Sequence, residues 1–192
     1  MQWSMKIMLN SHIRGFSDKL VYKSRFIEMF GDPQNKNNKF PYLSFSDVIK
    51  DATKEAIKIP KEEYLKHGPY PIIDQGKTYI SGYSDTVEGL FDKTPFIIFG
   101  DHTRIFKYVE KPCFLGADGV KLLKVHNDKY RTFFVYTFLK LSYIPNEGYS
   151  RHFKWLKNLY IQKPPLYLQE EYITFAKQID KSKFICLYLC YF

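Results

Sequence analysis

The pentapeptide Lys23-Ser24-Arg25-Phe26-Ile27 returns near the far end of the chain as Lys181-Ser182-Lys183-Phe184-Ile185. A repeat at both ends of a central region constrains the fold, because it asks for two like elements flanking one unit. Helix-breaking residues mark the same boundaries. After the first copy, Glu28-Met29-Phe30 runs into Gly31-Asp32-Pro33, where glycine can take the left-handed cap and proline cannot continue a helix. Before the second copy, Pro164-Pro165 cannot lie mid-helix and instead opens one. Leu168, Tyr172, Phe175, Ala176 and Ile179 then recur three or four apart, an apolar stripe that needs a partner surface. That partner is the chain's own domain, the N-terminal helix, or the same helix of another copy. The expected organisation is an N-terminal helical segment over 1–33, a central domain over 34–163, and a C-terminal amphipathic helix over 164–192. The polar stretch from Asn35 to Lys39 opens the central domain.

Short elements alternate with turns across the centre. Tyr70-Pro71-Ile72-Ile73 reads as a strand, and Thr78-Tyr79-Ile80 as another after the Gln75-Gly76-Lys77 turn. Pro95-Phe96-Ile97-Ile98-Phe99 is an unbroken apolar run of strand length closed by Gly100-Asp101. Arg104 to Val109 alternates polar and apolar residues, the mark of a half-buried strand, and Val120 to Val125 is a further strand. Lys129 to Leu141 has helix length, with Tyr130, Phe133, Phe134, Thr137, Phe138 and Leu141 on one face. The predicted class is α+β.

Charge narrows the function. Twenty-nine Lys and Arg against 20 Asp and Glu give a formal charge of +9 over 192 residues, which points to a polyanionic partner. Sixteen Tyr and 17 Phe add rings that both fill a core and, next to lysine, suit nucleic acid. Cys113, Cys186 and Cys190 are too few for a disulfide framework and lack metal-ligand spacing, so no metal site is expected. The N-terminus shows no secretory h-region, and Phe184 to Phe192 is shorter than the roughly 20 residues of a membrane span. A cytoplasmic protein without membrane contact is expected.

The sequence has no phosphate-binding P-loop, no dinucleotide glycine turn and no amino-methyltransferase motif. Asp101-His102 is the most enzyme-like pair. Neighbours on extended backbone point apart, so a turn with Asp101 bonded to local amides is expected, and no catalytic residue. A nuclease or methyltransferase built on this pair is the weakest reading. Binding chemistry is denser in two stretches. Gly76 to Asp85 carries Lys77, Thr78, Tyr79, Ser81 and Tyr83 together with two glycines that allow close approach to phosphate. Gly148 to Trp155 carries Tyr149, Ser150, Arg151, His152 and Lys154, with Arg151 able to read guanine bidentately. Arg104 joins these as a DNA-binding candidate.

These residues resemble a family. Phe26-Ile27-Glu28-Met29-Phe30-Gly31-Asp32-Pro33 looks like the end of a spacer helix in specificity subunits of type I restriction–modification systems. Gly68-Pro69-Tyr70-Pro71-Ile72-Ile73 and Gly82-Tyr83 resemble the opening of their target-recognition domain. Tyr149 to Lys154, Pro164-Pro165-Leu166 and Gln169 resemble its end, so the likeness runs from Tyr22 to Ile185. The resemblance implies one target-recognition domain flanked by coiled-coil-like spacer helices. It also implies sequence-specific binding of double-stranded DNA without catalysis, in a complex with modification and restriction subunits. S-adenosylmethionine is then expected on the modification subunit, and no cofactor on this chain. The sequence departs from the full pattern by carrying one recognition domain and by losing charged heptads after Ile185. A second specificity half, or another copy joined through Leu168, Tyr172, Phe175, Ala176 and Ile179, is the expected completing partner. The alternative is a truncated assembly module that exchanges into, or interferes with, a complete complex.

Overall fold

The computed structural model describes residues 20–35, 39–117, 119–148 and 150–189, with side chains described up to 179. A helix over 20–30, α1, leads into the centre. Gly31 ends it at φ 87° with its N–H on the Ile27 carbonyl at 2.8 Å, the left-handed cap that the sequence predicts. Strand β1 (Tyr42–Ser44) pairs antiparallel with β10 (Tyr160–Gln162), the last strand. The short helix α2 (Phe45–Val48) starts on a reciprocal Ser44–Asp47 capping box, then turns into β2 (Ile49–Asp51).

Two four-stranded sheets form the middle. One orders β2, β9 (Val120–Val125), β6 (Phe96–Gly100) and β7 (Phe106–Val109), all antiparallel. The other orders β3 (Lys58–Ile59), β8 (Phe114–Gly116), β4 (Tyr70–Ile73) and β5 (Gly82–Ser84), and mixes parallel with antiparallel pairs. The apolar run from Phe96 to Phe99 is continuous because both faces of β6 are covered. Ile97 and Phe99 point to the helices, while Phe96 and Ile98 pack toward the second sheet with Ile73 and Leu115. Helix α3 (Thr132–Leu141) lies on the first sheet and α4 (Phe153–Lys157) follows the loop after it. Helix α5 (Leu166–Leu189) leaves beside α1. The mixed α+β class is as expected.

The flanking helices belong to the same core as the central domain. Phe26 and Phe30, both without solvent exposure, pack against Phe134 of α3 with ring centroids at 5.5 and 5.0 Å, and edge-on to Tyr172 of α5 at 5.3 and 5.8 Å. The Tyr22 hydroxyl donates to the Ala176 carbonyl at 3.5 Å, and Arg25 reaches Glu171 at 2.9 Å. Contacts that descend α5 as they climb α1 make the pair antiparallel. This corrects the expected subunit interface: Tyr172 and Ala176 are each 1% exposed, spent on α1 and α3, and cannot meet another copy. Leu168 packs against the same core, and Phe175 lies under the Arg25 guanidinium at 5.7 Å. Ile179 is half buried. The second copy of the repeat falls in the last turns of α5, whose side chains lie outside the described residues.

Gln169 explains why this proline-led helix start has the sequence it has. Arg131, the residue before α3, makes no side-chain cap of its own. Its N–H donates instead to Gln169 Oε1 at 2.8 Å, while Gln169 Nε2 donates to the carbonyls of Lys129 and Pro164 at 3.0 and 2.9 Å. One fully buried amide thus joins the starts of α3 and α5. Gln169→Ala leaves a buried N–H and two carbonyls without these bonds and should cost about 2–3 kcal/mol in urea unfolding. An unchanged midpoint would show that water replaces the amide.

One sequence expectation fails here: residues 78–80 are loop, and the strand is Gly82–Ser84. The alternating half-buried strand is present as β7, with Lys107 on its inward face at 5% exposure.

Candidate nucleic-acid interface

Three loops meet at one edge of the first sheet. The β6–β7 turn closes with the Gly100 N–H on the Ile105 carbonyl at 2.9 Å and the Arg104 N–H on the Gly100 carbonyl at 2.8 Å. Arg104 closes it at φ 59°, a left-handed conformation that costs a long side chain about 1 kcal/mol or more. Its Nη1 donates to the Ile144 carbonyl at 3.2 Å. Thr103 Oγ1 donates to the Gln75 carbonyl at 2.8 Å, and the His102 N–H to Gln75 Oε1 at 3.3 Å. His102 Nδ1 lies 3.1 Å from the Ser150 carbonyl and must carry the proton there. Loop 74–81, turn 100–105 and loop 142–152 are thereby stitched together.

Loop 74–81 is held from below by a buried cation. Lys107 Nζ, rising from β7, donates to the carbonyls of Asp74 and Thr78 at 2.7 and 2.6 Å and to that of Tyr79 at 3.5 Å. Asp74 Oδ1 stands 3.7 Å from the ammonium and accepts the Gly76 N–H at 2.7 Å and the Ser81 hydroxyl at 2.5 Å. Carbonyls turned inward to an ammonium cannot enter a sheet ladder, which is why 78–80 form no strand. Burial pulls the Lys107 pKa below the usual lysine value, opposed by the attraction of Asp74. The charge is therefore held at a cost, in return for a fixed loop shape.

The predicted residues separate in this setting. Lys77 and Thr78 are exposed on the braced loop, and Arg151 is exposed just before α4. Lys77 and Arg104 line one cleft. Tyr79 is half exposed, but its hydroxyl already donates to the Tyr108 carbonyl at 2.7 Å, and burial pushes its pKa up to about 12. Ser81 spends its hydroxyl on Asp74, and Tyr83 sits half buried in edge strand β5, paired through its backbone with Leu65. Lys154 is exposed and ion-paired with Glu147 at 2.7 Å; that hydrogen bond holds the Glu147 carboxyl below the usual range. Such a surface pair is weak and exchanges readily for a phosphate. Tyr149 lies outside the described residues.

His152 and Ser150 are corrections. His152 has no solvent exposure: its Nδ1 and backbone N–H both donate to the Asp101 carbonyl at 2.9 Å, and its Nε2 accepts the Glu147 N–H at 3.3 Å. The Ser150 hydroxyl oxygen is enclosed, so it cannot reach a DNA backbone. Asp101 bonds an amide as expected, but a distant one, since its Oδ1 accepts the Phe153 N–H at 2.7 Å and so starts α4. Among the described residues no group of three or more His, Cys, Asp or Glu could hold a metal ion, and no helix is long and apolar enough to cross a membrane. Cys113 is buried, which pushes its thiol up to about 12. Sequence reasoning missed Lys23, Lys140, Gln34 and Tyr143, which join Lys77 and Arg104 around the cleft. They come from three distant segments, and no local pattern links them.

No protein-family model matches the chain. Over 129 residues it is 25% identical to the EcoR124I/EcoR124II type I restriction enzyme specificity subunit of Escherichia coli. In sequence the chain is similar to a type I specificity subunit. The aligned part is 65% of this chain and 32% of that subunit, so the chain spans about a third of its curated relative's length. Solved structures share the fold. The HsdS subunit of Thermoanaerobacter tengcongensis superposes with a TM-score of 0.51 at 16% identity, covering 92% of this chain and 47% of that one. A chain from a study of type I R-M complex assembly gives 0.56 at 15%, covering 96% and 49%. The S subunit of M. genitalium gives 0.52 at 16%, covering 75% and 40%.

Proposed function

We propose that the chain reads the sequence of double-stranded DNA as a non-catalytic recognition module of a type I specificity subunit. In this reading it directs a modification subunit, which holds S-adenosylmethionine, and a restriction subunit to the bound site. The observation that carries the reading is the stitched edge of loops 74–81, 100–105 and 142–152, which presents Lys77, Arg104 and Arg151 on a fold shared with specificity subunits. The net charge of +9 supports a polyanionic partner. Lys77 is the phosphate contact, since it stands exposed on a braced loop. Arg151 is the base reader, because an exposed guanidinium on a fixed loop can pair bidentately with guanine.

The test is duplex binding across salt concentrations, with and without a type I modification subunit. Lys77→Ala should weaken all duplexes alike and lower the salt slope by about 1, whereas Arg151→Ala should lose roughly 5- to 150-fold of discrimination at one base pair. Binding that shows no preference among duplexes at moderate salt in either setting would sink the reading.

A further inference from the structure

We infer that the cleft between α1, the end of α3 and the β6–β7 turn is a seat for a DNA phosphodiester, with Lys23 and Lys140 completing a cationic wall begun by Lys77 and Arg104. This rests on the DNA-reading proposal and adds to it a contact made by the flanking helix. The cleft has a volume of about 730 Å³, in the range of ligand-sized sites. Among the described residues that line it, four are cationic and none is acidic.

Elsewhere Arg25, Lys50, Lys121, Arg131 and Lys154 each stand within 4 Å of a carboxylate. None of the four cleft cations makes an ion pair among the described residues. Four cations lining one cleft without a carboxylate give it a positive potential that favours an anion. Two further features suit an anion. Two of the α3 carbonyls that would repel it carry donors: Gln34 Nε2 donates to the Leu141 carbonyl at 3.1 Å, and Ser142 Oγ to that of Phe138 at 2.8 Å. Arg104 is fixed by a single Nη1 bond to Ile144, which leaves further guanidinium N–H groups for phosphate oxygens. Its left-handed backbone aims a cation where glycine would be the easier residue. The Lys140 ammonium is steadied by the Tyr136 hydroxyl at 3.1 Å and keeps donors to spare.

The experiment is duplex binding by the whole chain carrying Lys23→Ala and Lys140→Ala together, read by fluorescence anisotropy over a salt series. Both side chains are on exposed residues, so a thermal melt should match wild type and exclude unfolding. Affinity should fall roughly tenfold for every duplex alike, with the salt slope lower by about 2 and discrimination between sequences unchanged. Lys140→Glu should weaken binding more than Lys140→Ala. Wild-type affinity and slope in the double variant, with Arg151→Ala still losing discrimination, would overturn the seat and leave the DNA reading standing. Failure of wild type itself to bind duplex would overturn both. Calorimetry with inorganic phosphate covers the other source of this chemistry. Saturable phosphate binding abolished in the double variant, with duplex binding intact, assigns the cleft to a free anion and also overturns the seat.

Discussion

Replacing Lys107 with methionine is expected to lower the melting temperature by roughly 6–12 °C, a loss of about 3 kcal/mol in a chain of this size. Methionine fills similar volume, so the loss comes from polar groups left behind. The carbonyls of Asp74 and Thr78 lose donors at 2.7 and 2.6 Å, and the Asp74 carboxylate loses its buried counter-charge. Asp74 keeps the Gly76 N–H and the Ser81 hydroxyl, which holds the cost near the low end for breaking a buried pair. The larger consequence is for binding. With the loop no longer fixed, Lys77 should lose its placement, and affinity should fall with the melting temperature. Lys107→Arg separates charge from shape, since a guanidinium keeps the charge but not a compact ammonium's fit among three carbonyls. Wild-type stability in Lys107→Met would show that the ammonium is not what holds loop 74–81.

Asp101→Ala should cost about 2–3 kcal/mol, measured by urea unfolding, because a buried carboxylate that accepts a 2.7 Å backbone bond is lost. The orphaned Phe153 N–H lies at the start of α4, two residues beyond Arg151, so the loop that carries this proposed base reader loosens with it. Asp101→Asn keeps an acceptor without the charge and should lose about half as much. Discrimination between duplexes should fall in step with stability across the two variants. A stable Asp101→Ala chain would refute the anchoring role. The same substitution bears on the enzyme-like reading of Asp101-His102, since His102 faces Ser150 while Asp101 faces Phe153.

The parts of the fold that were legible in the sequence are those set by local chemistry. Gly31 and Pro33 ended α1, Pro164-Pro165 opened α5, and the run from Phe96 to Phe99 was buried on both faces as its unbroken apolarity implied. The failures are non-local. Nothing near Thr78 announces that an ammonium 29 residues later will take its carbonyl. Nothing near His152 announces that Asp101, 51 residues earlier, will bury it. The site divides in the same way: Lys77, Arg104 and Arg151 were visible as cations beside turns, whereas Lys23 and Lys140 belong to helices and meet the others only after folding. The apolar stripe of α5 was read correctly as needing a partner, but periodicity does not say which, and α1 took Tyr172 and Ala176.

The two-stranded β1–β10 pairing sets Tyr42 opposite Gln162, with Pro41 accepting the Lys163 N–H at 2.8 Å. The polypeptide thus leaves the helical platform and rejoins it through one narrow stem. Everything strung on that stem can change length or sequence at its outer loops without altering the distance between the two points of attachment. A different central domain could be spliced in at this clasp while α1 and α5 kept their mutual grip, provided that it supplied the contacts now made by Phe134 and the start of α3. If the chain reads DNA as proposed, target choice and platform geometry are in that sense separable inheritances of a single chain.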